Sequence, residues 1–189
     1  MKPLPKPDLD LARNDALATS FVHMTEQEAI ALAREQFGRT GRVTRFATEK
    51  DDTFRLEVMD GRRFVLKIAN PSETAVEIGF QTELLDYLAR TEPTLPTPRI
   101  VPSIAGEAHS LFVDRAGQSR RVRLMSYLEG TPLDSTDANA PQREYVGEML
   151  ARLRLATADF SHEGDDRLLA WDVRHLSSLE HLLEFVDDD

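Results

Sequence analysis

The chain has 189 residues, 41% of them hydrophobic and 30% charged, with a net charge of −10 and no cysteine. That length supports one large domain or two small ones around a real core. The acidic balance argues against binding nucleic acid or an anionic membrane surface, both of which need a basic face. Without cysteine there are no disulfides and no thiolate chemistry, which fits a reducing, cytoplasmic setting. No apolar run approaches transmembrane length, and the Lys2–Pro7 stretch has no signal-peptide core.

Residues 1–24 start Pro-rich and charged and are predicted to be extended or disordered. Thr25-Glu26-Gln27-Glu28 reads as a capping box opening a helix that Gly38 stops, with Ile30, Ala33 and Phe37 facing inward. Residues 41–47 read as a strand, 48–52 as a polar loop and 53–58 as a second strand alternating Phe54, Leu56 and Val58 with Arg55 and Glu57. Asp60-Gly61 predicts a tight type I′ turn into a third strand, 64–68. Asn70-Pro71-Ser72 ends that strand and caps a helix over 73–89, with Ile78, Gln81, Leu85 and Leu88 on one stripe. Pro93, Pro96, Pro98 and Pro102 impose an extended path. Residues 111–113 and 121–127 read as paired strands around a turn at 116–118. Glu129-Gly130-Thr131-Pro132 and the polar stretch 134–140 mark an internal boundary. Beyond it the pattern is helical, over 142–158 (Val146, Met149, Leu150, Leu153) and again with Leu176, Leu179, Leu182, Leu183 and Val186. The fold class is therefore α+β: an antiparallel sheet with a packed helix, followed by the first helices of a second, helical region.

Lys67 stands out. The strand Phe64-Val65-Leu66-Lys67-Ile68 is apolar on both faces, which places it inside a sheet. A covered ammonium is costly unless an anion meets it, so a carboxylate, a phosphate or both should lie within reach. A lysine on the third strand with a helix after it, and a further strand 121–125 leading into Ser126-Tyr127-Leu128, is also the layout of a kinase small lobe.

The run Gly61-Arg62-Arg63-Phe64-Val65-Leu66-Lys67-Ile68-Ala69-Asn70-Pro71, then Phe80-Gln81 with Leu84 and Leu88, Pro96-Thr97-Pro98, Leu124-Met125-Ser126-Tyr127-Leu128-Glu129-Gly130, Leu150-Ala151-Arg152-Leu153, Asp159-Phe160-Ser161-His162 and Trp171-Asp172-Val173 together resemble the aminoglycoside phosphotransferase and choline kinase-like family. Within it the chain is most similar to hydroxylysine kinase-type phosphotransferases, including those fused to class III aminotransferases. The resemblance covers residues 25–189. It implies a kinase-like small lobe over 25–130 and a linker with the start of a helical large lobe over 131–189. It implies ATP and Mg²⁺ as cofactors and a small-molecule hydroxyl acceptor, an amino alcohol or hydroxylated amine. Lys67 would hold the α- and β-phosphates, Gln81 or Glu77 would orient Lys67, and the loop with Thr48, Asp52 and Thr53 would cover the phosphates. Ser126, Tyr127 and Leu128 would form the hinge that meets adenine. Two features depart from the family: the helix position expected to carry a glutamate is Gln81, with Glu77 one turn earlier, and the loop 48–53 has no glycine.

The pattern H-x-D-x-x-x-x-N, which supplies the catalytic aspartate and a metal-binding asparagine in such enzymes, does not occur, and His162-Glu163-Gly164-Asp165-Asp166 has the wrong spacing. The expectation is an N-terminal part that relies on a large lobe of the same polypeptide for catalysis and the Mg²⁺ ligands, and is inactive alone. Other readings are a non-catalytic nucleotide-binding or regulatory module, an interaction scaffold, or a part of an aminotransferase fusion. The five histidines show no metal-ligand spacing. Arg120, Arg121 and Arg123 read as a solvated strand face.

Overall fold

A computed structural model describes residues 21–48, 50–132 and 135–165. The extended segment expected at the N-terminus lies outside them as far as residue 20, as does the helix expected around 176–186. Helix α1, Glu26–Phe37, starts at the Thr25 capping box and stops at Gly38, whose φ of 62° is the left-handed conformation a C-cap needs. Ala29, Leu32, Ala33 and Phe37 are its buried residues, and Ile30 packs at their margin.

Six antiparallel strands follow: β1 (Gly41–Arg45), β2 (Asp52–Val58), β3 (Arg63–Ile68), β4 (Ile100–Val101), β5 (Ser110–Val113) and β6 (Ser119–Ser126). They run in the order β1-β2-β3-β6-β4, and β5 shares the outer edge of β6 with β4. One face of this sheet carries Val43, Phe54, Leu56, Phe64, Leu66, Ile68, Val122 and Leu124 and closes on α1 as a single apolar core. Their alternate neighbours point the other way, as the two-residue period of a strand requires. On that second face Thr53 stands opposite Lys67, and Lys67 opposite Arg123, forming one row across β2, β3 and β6.

Several local expectations change. β3 is central, but its burial alternates: Phe64, Leu66 and Ile68 are buried, while Val65 and Lys67 are half-buried. Asp60 does not adopt positive φ, so the turn is not type I′; only Gly61 does, at 81°. The Gly61 amide donates to Val58 O, and the Val58 amide to Arg62 O, which makes a three-residue loop with a glycine bulge. The Asp60 carboxylate receives the Arg62 amide at 3.0 Å and stabilises this alternative.

Helix α2, Ala75–Thr91, is capped by Thr74 and Glu77 rather than by Ser72. Ser72 instead donates its hydroxyl to Asn70 Oδ1. Helix α3, Ala140–Ala156, has Asn139 as its cap and Pro141 in its first turn. Its predicted inward stripe is not buried: no residue of α3 is, and Leu150 is 62% exposed.

Candidate functional site

The site grows from the row Thr53–Lys67–Arg123. Lys67 Nζ lies 3.0 Å from Asp51 Oδ2; the lysine side chain is 30% exposed and the aspartate nearly buried. Asp51 is held in turn, because its Oδ1 accepts the Asn70 amide at 3.0 Å. Asn70 Nδ2 donates to Lys50 O, and Lys50 Nζ pairs with Glu73 Oε1 at 3.2 Å. The Thr48 hydroxyl donates to Asp51 O at 2.6 Å. The loop before β2 is thus tied to β3 by one ion pair and to the β3–α2 connection by a second ion pair and two hydrogen bonds, and the Thr48 hydroxyl closes the loop on itself.

Neither helix residue proposed to orient Lys67 takes that place among the contacts described. The Glu77 carboxylate accepts the amide and hydroxyl of Thr74 in the α2 capping box. Gln81 Oε1 accepts from Arg123 Nη2, and its Nε2 donates to Glu77 O. The carboxylate that meets Lys67 comes from the loop instead. Asp51 lies two residues before Thr53, hence on the same side of the strand path as Lys67. That parity was the one sequence signal able to find it.

Asp52, one residue on, points to the opposite face. It is fully buried and receives Arg45 Nη1 at 2.6 Å, Arg120 Nη1 at 3.0 Å and the Met24 amide at 3.1 Å, with His23 Nδ1 at 3.0 Å. Burial pushes its carboxyl up, but the bonds from Arg45, His23 and Met24 and the charge of Arg120 outweigh this and hold it below its ordinary value. With its oxygens used inside the core, Asp52 is a structural anchor and cannot cover a phosphate. The neighbouring Thr53 Oγ1 is buried without a hydrogen-bond partner, and Thr48 is exposed at the loop's start.

The arginines of β6 also depart from expectation. Arg120 and Arg123 are buried, at 1% and 4% exposure, and are not a solvated face. Arg120 donates to Ala69 O and Asp52 and lies over the Phe21 ring. Burial holds Arg123 below the ordinary arginine value, against the charges of Glu73 and Asp51.

At the end of β6, the expected hinge is partly engaged. The Ser126 amide donates to Arg99 O, and Ser126 Oγ accepts the Arg99 amide, both at 2.8 Å. The Tyr127 amide donates to Arg63 O. Leu128 is 45% exposed. Of the three, Leu128 is the one whose amide makes no hydrogen bond among the described residues. Among the described residues no cluster of three or more His, Asp or Glu side chains is placed to hold a metal ion, and no helix is long and apolar enough to cross a membrane.

An antiparallel sheet with a central lysine, a helix after it and a strand ending in an open segment defines a kinase-like small lobe. Among solved structures, an amicoumacin kinase in complex with AMP-PNP and Ca²⁺ superposes with a TM-score of 0.66 over 88% of this chain and 55% of its own, at 16% identity. A microcompartment-associated aminopropanol kinase does so with a TM-score of 0.59 over 78% of this chain and 45% of its own, at 17% identity. The chain belongs to the phosphotransferase enzyme family, whose profile matches residues 42–188. It is similar to hydroxylysine kinase of Danio rerio, 27% identical over 178 residues, covering 88% of this chain and 49% of that protein. It is also similar to hydroxylysine kinase of Mus musculus, 26% identical over 151 residues, covering 73% and 40%. The chain thus spans about half the length of the curated relatives it matches.

Proposed function

We propose that this chain is the nucleotide-binding part of an ATP-dependent phosphotransferase that phosphorylates the hydroxyl of a small amino alcohol or hydroxylated amine. The observation that carries the reading is Lys67: a half-buried ammonium in the middle of the sheet, paired at 3.0 Å with a carboxylate, on the face away from the apolar core. Arg55, Arg63 and Arg121 share that face by strand parity with Glu57, and Arg123 lies buried beside Lys67, so positive charge is concentrated around Lys67 in an otherwise acidic protein. The acceptor class rests on the names of two relatives, hydroxylysine kinase and aminopropanol kinase, both of which point to hydroxylated amines.

In this reading Lys67 places its charge on the α- and β-phosphates. The backbone around Lys50 and Asp51 lies over them, with Thr48 at the start of the loop and Thr53 in the row beside Lys67, and adenine meets the main chain around Leu128, with Ser126 and Tyr127 shaping the hinge. Gln81 and Glu77 act at one remove: Gln81 holds Arg123 beside Lys67, and Glu77 fixes the start of α2. Mg²⁺ would screen the phosphate charge, and the described residues give it no ligand set. Phosphoryl transfer also needs an aspartate to receive the acceptor proton, and no H-x-D-x-x-x-x-N occurs in these 189 residues.

Titration calorimetry with Mg-AMP-PNP tests the reading. The protein is expected to bind, and Lys67→Met to weaken binding at least tenfold, the cost of one charge-assisted contact with the fold intact by circular dichroism. Equal affinity in the two proteins would refute it.

A further inference from the structure

We infer that Asp51 is the residue that positions Lys67 for phosphate binding, in place of a helix carboxylate, so that lysine orientation depends on the loop leading into β2. The inference rests on the nucleotide-binding reading above.

Three observations carry it. First, the ion pair of Lys67 among the described residues is with Asp51 Oδ2 at 3.0 Å, and the aspartate side chain is 9% exposed. A carboxylate so little hydrated interacts with its partner more strongly than a surface pair does. Second, Asp51 is not free to swing away: its other oxygen accepts the Asn70 amide at 3.0 Å, and its carbonyl accepts the Thr48 hydroxyl at 2.6 Å. The Lys50–Glu73 pair pins the same loop from the adjacent residue. Third, the helix position that would otherwise supply the carboxylate is an amide, and that amide is engaged. Gln81 Oε1 faces Arg123, which stands directly across from Lys67. A glutamate there would be divided between two cations; the amide serves Arg123 and leaves Lys67 to the loop.

The consequence is mechanical. Lys67 has three N–H donors. Asp51 takes one, from the β2 side, and fixes the direction of the remaining two. Any displacement of Lys50 and Asp51 would withdraw the carboxylate from Lys67.

The test compares ATP with adenosine, since only the former presents phosphates. Asp51→Asn keeps an acceptor for the Asn70 amide and removes the charge. It is expected to weaken ATP binding about tenfold, the scale of a charged hydrogen bond, and to leave adenosine affinity unchanged. Asp51→Glu should recover part of the loss. Placed on Lys67→Ala, Asp51→Asn should have no further effect on ATP. Tighter ATP binding in Asp51→Asn would make the aspartate a competitor of the phosphates and overturn the inference. Equal losses for ATP and adenosine would make its role structural and overturn it too, and if the asparagine variant does not fold, an ATP-selective loss in Asp51→Glu is required instead. Lys67→Ala separates the two levels. If it leaves ATP affinity untouched, the nucleotide reading itself fails; if it weakens ATP while Asp51→Asn does not, only the role of Asp51 falls.

Discussion

Asp51 and Asp52 are adjacent acids with opposite duties, and strand geometry separates them. One step along an extended chain reverses the side-chain direction, so Asp51 meets Lys67 while Asp52 enters the core beneath α1. Asp52 and Arg120 are both fully buried and 3.0 Å apart. Removing one member of such a pair strands the other's charge, so Asp52→Asn is expected to cost roughly 3–5 kcal/mol in urea denaturation. The pH dependence has a definite sign. The folded carboxyl titrates below its ordinary value, so its contribution is full above that ordinary value and is lost as the pH falls through the folded one. Urea midpoints measured from neutral to acidic pH should therefore fall for the native protein, and fall less for Asp52→Asn. An equally steep fall in the variant would assign the acid sensitivity elsewhere.

At the scale of elements, the ends of helices and the turns decide where the functional side chains sit. The Thr74–Glu77 capping box sets the first turn of α2 and with it the height of Gln81 against Arg123. Thr74→Ala should lower stability by about 1 kcal/mol, and amide exchange should report faster opening in the first turn of α2. The β1–β2 pairing has a tighter constraint. A side chain at Gly41 would bring its Cβ to 2.0 Å from Glu57 O, a backbone atom that cannot step aside. Gly41→Ala is expected to destabilise by about 1–3 kcal/mol, read as a lower thermal midpoint; an unchanged midpoint would show that the edge strand yields freely. Capping boxes were legible where a hydroxyl and a glutamate stand three residues apart, as at Thr25 and Glu28. The Thr74 cap escaped because Asn70-Pro71-Ser72 offers a competing start just upstream. The structure uses that segment for a turn in which Asn70 Oδ1 receives the Ser72 amide.

At the scale of the whole molecule, ligand binding should appear as stability. If AMP-PNP binds only the folded state, a hundredfold excess over Kd adds about 2.7 kcal/mol, and the thermal midpoint of a chain this size should rise roughly 5–10 °C. Lys67→Met should abolish most of that rise. The same preparation should show no ATP turnover by these 189 residues, since the catalytic motif is absent from them; measurable turnover would place the catalytic aspartate at a position outside the family's pattern.

The sequence by itself determined the α+β order, the strand that carries Lys67, the capped start of α1 and membership of a phosphotransferase lineage. The first three depend on residues close together in the chain, through strand and helix periods, caps and turn residues, and the lineage on the order of such short runs along it. Only the tertiary structure decided who meets whom. Lys67 pairs with a residue 16 positions back, Arg120 with one 68 positions back, and Gln81 with an arginine 42 positions ahead. It also reversed the reading of the β6 arginines, because a charged side chain looks solvated in sequence until a buried acid or amide is found opposite it. Spacing along a chain fixes which face a side chain takes within its own element. Which charge waits on that face is fixed by the packing of strands and loops that share no local pattern.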